Sequence, residues 1–260
     1  MPTRGTRNSK SMWVAGGLLA TVLVLTGYMA FSGDDEETGP PGPSGGSASH
    51  AASPSPAPSY TRPEEWTEPD RWAALPRGQR TDTHGSQVGY PKSTEGAVSM
   101  MAAANSISID SDRDAVDEQL RIYRSYVAEG DQSDEGAEKI ELDAVQTDKM
   151  LRKELGLPVG EPMPAGAYMR NTVVGYQVIK ESDDAVSVWL LTRVVQKAGE
   201  TAKERATYTR SLSGAAWTDG DWKLSGKAFA DADTSDEPAI VAPGDADFNA
   251  AGWVAIREAS

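Results

Sequence analysis

The chain is 260 residues long, with 39 acidic against 25 basic residues, a formal net charge of −14 and no cysteine. An acidic surface repels a phosphate backbone, whose affinity rests on Lys and Arg displacing counterions, so nucleic acid is excluded as a partner. Without cysteine there is no disulfide, thiolate nucleophile, zinc–thiolate site or lipoprotein anchor; the bias toward Ala, Gly, Asp, Val and Arg is what a high-GC genome would encode, and an actinobacterial source is the expectation drawn from it.

Residues 1–11 carry Arg4, Arg7 and Lys10 and read as a cytoplasmic tail; an uncharged run follows at 12–31, and Asp34, Asp35, Glu36 and Glu37 come at once after it. As a helix that run spans about 30 Å, the thickness of a bilayer's hydrocarbon core. Basic residues before it and acidic ones after it predict a transmembrane helix, a single-pass anchor in the cell membrane with the lipid bilayer as partner through 12–31. The N-terminus is then cytoplasmic and the C-terminal domain extracytoplasmic. A cleaved signal would be shorter and end in small residues, whereas Tyr28 stands three before any cut after Ala30.

Residues 32–63 are rich in Pro, Gly and Ser and predict a disordered, partly polyproline tether, on the order of 95 Å when extended. Residues 64–92 predict an irregular aromatic arm, in which Trp66 and Trp72 either pack on the domain or face a partner. The two histidines, His50 and His84, fall in the tether and the arm, and neither is placed as a catalytic base.

The domain proper is predicted at 93–230. Ser93 or Thr94 caps a first helix to about Asn105, with Ala97, Met101 and Ala104 on one face. A second starts at the cap around 111–114 and carries Val116, Leu120, Tyr123 and Val127. A third opens at Ser133 and places Ile140, Ala144, Leu151 and Leu155 on one face before Gly156 stops it, with a break near Thr147 as the alternative to a continuous helix. After Pro164 the period changes to two, and 168–180, 185–197, 205–217 and 222–229 predict a four-stranded antiparallel meander. Its last turn, Asp219-Gly220, suits a type I′ hairpin that sets Trp217 opposite Trp222. Val174, Tyr176 and Val178, with Val186, Val188, Leu190 and Val194, give the first two strands a core face. Trp189, Leu191 and Val195 load the other face, which is covered by either the tail or a partner, and are the candidate interaction face together with Trp66 and Trp72. Residues 231–260 predict an acidic loop and a docked C-terminal segment holding Phe248, Trp253, Val254 and Ile256.

Asp110, Asp112 and Asp114 alternate as in a calcium loop, but Ala115 stands where the turn needs Gly and Arg121 where a bidentate Glu should be, so helix-capping charge is the better account. Lys197, Lys203, Arg205 and Arg210 form a modest basic patch on adjacent strands. No nucleophile has a base near it in sequence, and neither HExxH nor a phosphate loop is present; no catalytic residue, metal or cofactor is expected, and the protein is not expected to be an enzyme.

Helices at 97–104 and 116–127, followed by Trp217-Thr218-Asp219-Gly220-Asp221-Trp222-Lys223-Leu224, resemble the NTF2-like superfamily over roughly 93–229. The resemblance implies an α+β fold, three helices packed on a curved four-stranded meander as a cone. With the predicted anchor, the chain looks like the bitopic scaffold subunits of conjugation and type IV secretion systems and like Mce-associated membrane proteins of actinobacteria. The function this implies is a non-enzymatic scaffold in a membrane complex, with protein partners or self-association. The alternatives are a binding module for a small apolar ligand or lipid and an enzyme of the ketosteroid-isomerase or polyketide-cyclase type, for which Asp117 and Tyr123 are the residues left to face a cavity.

Overall fold

A computed structural model describes residues 66–257, with five helices and nine strands among them. In chain order the elements are β1 (Trp72–Ala73), β2 (Arg80–Thr81), β3 (Gln87–Val88), α1 (Thr94–Asn105), β4 (Ile107–Ile109), α2 (Ala115–Tyr126) and α3 (Asp134–Leu155). There follow β5 (Ala167–Glu181), β6 (Ala185–Ala198), β7 (Arg205–Thr218), β8 (Asp221–Leu224), α4 (Gly226–Ala230), α5 (Asp247–Ala250) and β9 (Val254–Ile256).

Polar caps set the helix starts. The Ser93 hydroxyl accepts from the Gly96 amide at 3.1 Å, and the Ser133 hydroxyl accepts from that of Gly136 at 3.0 Å. Asp114 and Asp117 form a reciprocal capping box on α2, which satisfies two otherwise orphaned amides. Gly96 has a second duty: a Cβ there would stand 1.9 Å from the Pro91 carbonyl oxygen, so only glycine lets the chain enter α1 this closely. α3 runs unbroken past Thr147, whose hydroxyl donates back to the Asp143 carbonyl at 3.0 Å, and ends at Gly156 in the left-handed region.

The sheet corrects the expected architecture. It is a mixed sheet of seven strands, in the order β1-β9-β5-β6-β7-β8 with β4 also paired to β5, and not a four-stranded antiparallel meander. β5 to β8 are consecutive antiparallel neighbours, but β5 has a second edge of its own length. β4 covers that edge at 169–171 and β9 at 175–176, and β1 adds in parallel to β9. An edge of that length left open would present a row of unpaired amides and carbonyls, so short segments from both ends of the domain cap it. The sheet therefore draws in the arm and the tail, beyond the limits expected at 93 and 230.

β5 also departs from simple alternation. Register shifts between Val173 and Gly175 and between Val178 and Lys180 turn Val173 and Tyr176 into the main core, while Val174 packs on the opposite face and Val178 is exposed. β6 keeps strict alternation: Val186, Val188, Leu190 and Val194 face the main core under α1 and α2, and Trp189 and Leu191 face a second cluster with Phe248, Trp253 and Ala255. β6 is thus buried on both faces.

The expected membrane anchor is also corrected. No helix among the described residues is long and apolar enough to cross a membrane; the longest, α3, is charged along its length. The run at 12–31 and the tether at 32–63 lie outside the described residues, and the transmembrane, single-pass and extracytoplasmic assignments are withdrawn.

Candidate functional site

Three places in the fold collect chemistry-bearing side chains: a buried polar network beneath the arm, a groove at the start of α1, and the outer face of α3.

The network begins at Glu118 on α2, 1% exposed. Arg113 donates from Nη1 to one carboxylate oxygen at 2.7 Å, and Arg121 donates from Nε and Nη2 to the other at 3.1 and 2.8 Å. Arg121 also donates from Nη1 to the Ser86 hydroxyl at 2.8 Å, which lies 2.9 Å from the Ser125 hydroxyl. Asp82 closes the turn beneath, accepting from the amides of Ser86 and His84 at 2.8 and 2.9 Å. Partial burial acts to raise the Asp82 pKa, but the Ser125 hydroxyl and those two amides outweigh it and hold the carboxyl below the ordinary carboxylate value. Burial pushes the hydroxyls of Tyr90 and Tyr126 upward, so both stay neutral well beyond physiological pH.

A second buried carboxylate, Asp221 beside the hairpin turn, accepts from the amides of Gly89, Tyr90 and Trp222 at 2.9, 3.1 and 2.9 Å. Together these bonds clamp residues 82–90 to α2 and β8. Both carboxylates are consumed by charged or backbone donors, which is the chemistry of a structural clamp and not of a proton-transferring base. The bonds that make this clamp join residues at least 35 positions apart, so nothing local in the sequence could have joined them.

The groove, about 420 Å³, is lined by Lys92, Ser93, Thr94, Glu181, Ser182, Asp183 and Trp222. Several of its polar groups are engaged with the protein: Thr94 donates to Glu181 at 2.8 Å, Lys92 pairs with Asp184 at 2.5 Å, and the Trp222 indole donates to the Pro91 carbonyl at 2.8 Å. Between the helices and the sheet, Met100, Met101, Ile122, Met169 and Leu190 are fully buried in the main core.

Of the residues expected to form a partner face, Trp189, Leu191 and Trp72 are brought together, but inside the molecule. Trp189, Leu191 and Val195 are buried, Leu191 completely. Phe248 and Trp253 cover Trp189 and Leu191, and the Trp253 indole is tied to the Ala239 carbonyl at 2.8 Å. Arg210 stacks over Trp189 at 5.2 Å and is anchored to Glu237 and the Pro238 carbonyl, which takes it out of the expected basic patch. Trp72 packs on the same cluster with Arg257 over its ring at 5.4 Å, and Trp66 is half-buried on Gly244, where a Cβ would stand 2.3 Å from the indole. Arm and tail are laced by Asn249, which accepts from the Asp70 amide at 2.9 Å and donates to the Glu68 carbonyl at 3.1 Å.

The two residues expected to face a cavity do not. Asp117 completes the α2 capping box, and the Tyr123 hydroxyl accepts from the Ser133 amide at 2.8 Å and lies 3.3 Å from its carbonyl. Asp110 is spent on the Asp112 amide at 2.9 Å, and Asp114 on that of Asp117.

What the sequence reading missed is the outer face of α3. Ile140, Ala144 and Leu151 are buried on one side, chiefly against α2, while Leu142 is 61% exposed, Met150 56% and Val145 36% on the other. At about 100° per residue, Glu138, Leu142, Val145 and Lys149 fall in one narrow sector opposite the buried stripe. The signal was present as apolar residues out of phase with the chosen face. No family model matches the chain, and no curated protein or solved structure is similar to it. The resemblance to NTF2-like proteins therefore has no support beyond the sequence pattern that suggested it.

Proposed function

We propose that the protein is a non-enzymatic assembly module that engages a protein partner through the outer face of α3. The observation carrying this reading is the exposed apolar pair Leu142 and Val145, with Met150 exposed beside it, on a helix whose opposite side already serves the core. Scattered exposed aliphatics are ordinary, but Leu142 and Val145 lie side by side on the outward face, with Met150 about 80° round the helix from Leu142. Moving a side chain such as Leu142 or Met150 out of water is worth up to about 1.5–3 kcal/mol. The state of the buried carboxylates also favours a non-enzymatic role, since Glu118 and Asp221 are saturated by donors that pin the arm.

The test is a photoreactive residue placed at Leu142 or Met150 of the full chain in its native cells. The reading predicts defined protein adducts from both positions and none from the exposed but polar Asp112. Adducts absent from both positions, or equal from all three, would remove it.

A further inference from the structure

The strip on α3 carries a pattern that the proposed function leaves unused. Eight of the eleven charges on the helix are antisymmetric about its centre, the point between Asp143 and Ala144; Glu141, Asp143 and Glu154 have no opposite counterpart. Asp134, Glu135, Glu138 and Lys139 stand at the same distances from it as Lys153, Arg152, Lys149 and Asp148, and each pairing is opposite in sign. The two apolar residues nearest the centre on the outer face, Leu142 and Val145, are mirror positions of one another.

A helix macrodipole favours acidic residues in the first turn and basic ones in the last, which accounts for Asp134, Glu135, Arg152 and Lys153. It does not account for Glu138 and Lys149, which sit inside the helix, exposed and flanking the apolar pair. Asp148 is instead accounted for within the helix, as the ion-pair partner of Arg152 at 2.6 Å.

A surface that is its own electrostatic complement after a half-turn is what an isologous two-fold contact requires. We infer that α3 pairs antiparallel with α3 of a second copy of this chain, with Leu142 against Val145 of the other copy and Glu138 against its Lys149. The inference rests on the proposed assembly role of this face and names its occupant. The two-fold axis passes between Asp143 and Ala144, so each contact occurs twice. The order Glu138, Leu142, Val145, Lys149, at i, i+4, i+7 and i+11, keeps the seam in register over three turns of a pair crossing at a shallow angle. A parallel pair in register would set Glu138 against Glu138 and Lys149 against Lys149, so the charges select the antiparallel arrangement. A contact of three or four turns of helix lies at the small end of specific interfaces, below roughly 1,200 Å², which makes the pair reversible with a roughly micromolar Kd.

Three forms of the full chain test the pairing in sedimentation velocity over a concentration series. The wild type should show a monomer–dimer equilibrium that weakens as salt is raised. Glu138→Lys faces Lys149 twice per dimer and should weaken association by roughly tenfold or more, while Glu138→Lys with Lys149→Glu restores the alternation and should return the wild-type Kd. Because the chain has no cysteine, Glu138→Cys with Lys149→Cys should yield an oxidised covalent dimer. The two positions are about 16 Å apart along one helix, too far to bridge within a chain. A wild type that stays monomeric throughout, or a double reversal that fails to restore association, overturns the self-pairing. If photoadducts at Leu142 then contain a different protein and never this chain, the assembly role stands and only its occupant is wrong.

Discussion

Truncating Leu191 decides whether the second face of the sheet is core or contact surface. The side chain is fully buried, on the central strand β6, directly across from Gly175 of β5 and in one cluster with Phe248. A Cβ built on Gly175 would lie 3.5 Å from Phe248 Cζ and 3.6 Å from Leu191 Cβ, so the two side chains close over the glycine from either side. Leu191→Ala removes three carbons from a site walled by strand backbone and two aromatic rings, none of which can collapse far. The cost should lie near the upper part of the usual range for such truncations, about 3–5 kcal/mol. Phe248→Ala, cut from the covering side, should cost a similar amount. Because both changes open the same space, the double variant should cost clearly less than their sum. The assay is urea unfolding of the full chain followed by indole fluorescence, to which Trp189 and Trp253 in the cluster contribute. A loss below about 1 kcal/mol for Leu191→Ala, or strict additivity with Phe248→Ala, would mean that the tail does not seal this face.

The cross-strand indoles Trp217 and Trp222, 5.4 Å apart and edge-to-face, should show a coupling of about 0.5–1.5 kcal/mol in a double-mutant cycle of unfolding free energies, and additivity would displace the pair. Asp82 has a folded-state pKa below its ordinary 3.8, so its contribution is present above that value and is lost as pH falls through the folded pKa. Asp82→Asn should therefore flatten the fall of the urea midpoint in that acid window, and an unchanged slope would contradict the turn. Tyr90 and Tyr126 carry the opposite sign: their pKa values lie above the ordinary 10.0, so the stability they lend is complete below pH 10 and is lost as pH rises toward the folded values. In an alkaline titration followed by phenolate absorbance, these two should ionise only as the chain unfolds, and ionisation near pH 10 in the folded chain would show that they are open to water.

Much of the fold was legible because it is local. Ser93, Asp114 and Ser133 announce helix starts by side-chain chemistry, and Gly156 announces a stop. Asp219 and Gly220, both at positive φ, fix the hairpin and through it the Trp217–Trp222 register. The strands that turn a meander into a mixed sheet were illegible for a physical reason. β1, β4 and β9 have two or three residues each, too few to show alternation, and their pairing is decided by the open edge of β5 far away in sequence. The bulges in β5 likewise reassign Val174 and Val178 without a local mark. At the candidate site, the sequence identified Trp189 and Leu191 as surplus apolar mass under either the tail or a partner but could not choose between them; Phe248 and Trp253, some 60 residues on, cover them. The outer strip of α3 was hidden by the stronger stripe of Ile140, Ala144 and Leu151 on the same helix.

The central claim is that α3 offers a contact face that the fold itself does not need. It is tested most directly by Leu142→Asp in the full chain, measured for both unfolding free energy and association. The account predicts a free energy within about 0.5 kcal/mol of the wild type, as for an ordinary surface change, together with loss of association. A variant that keeps its association, or that loses more than about 2 kcal/mol of stability, would contradict it.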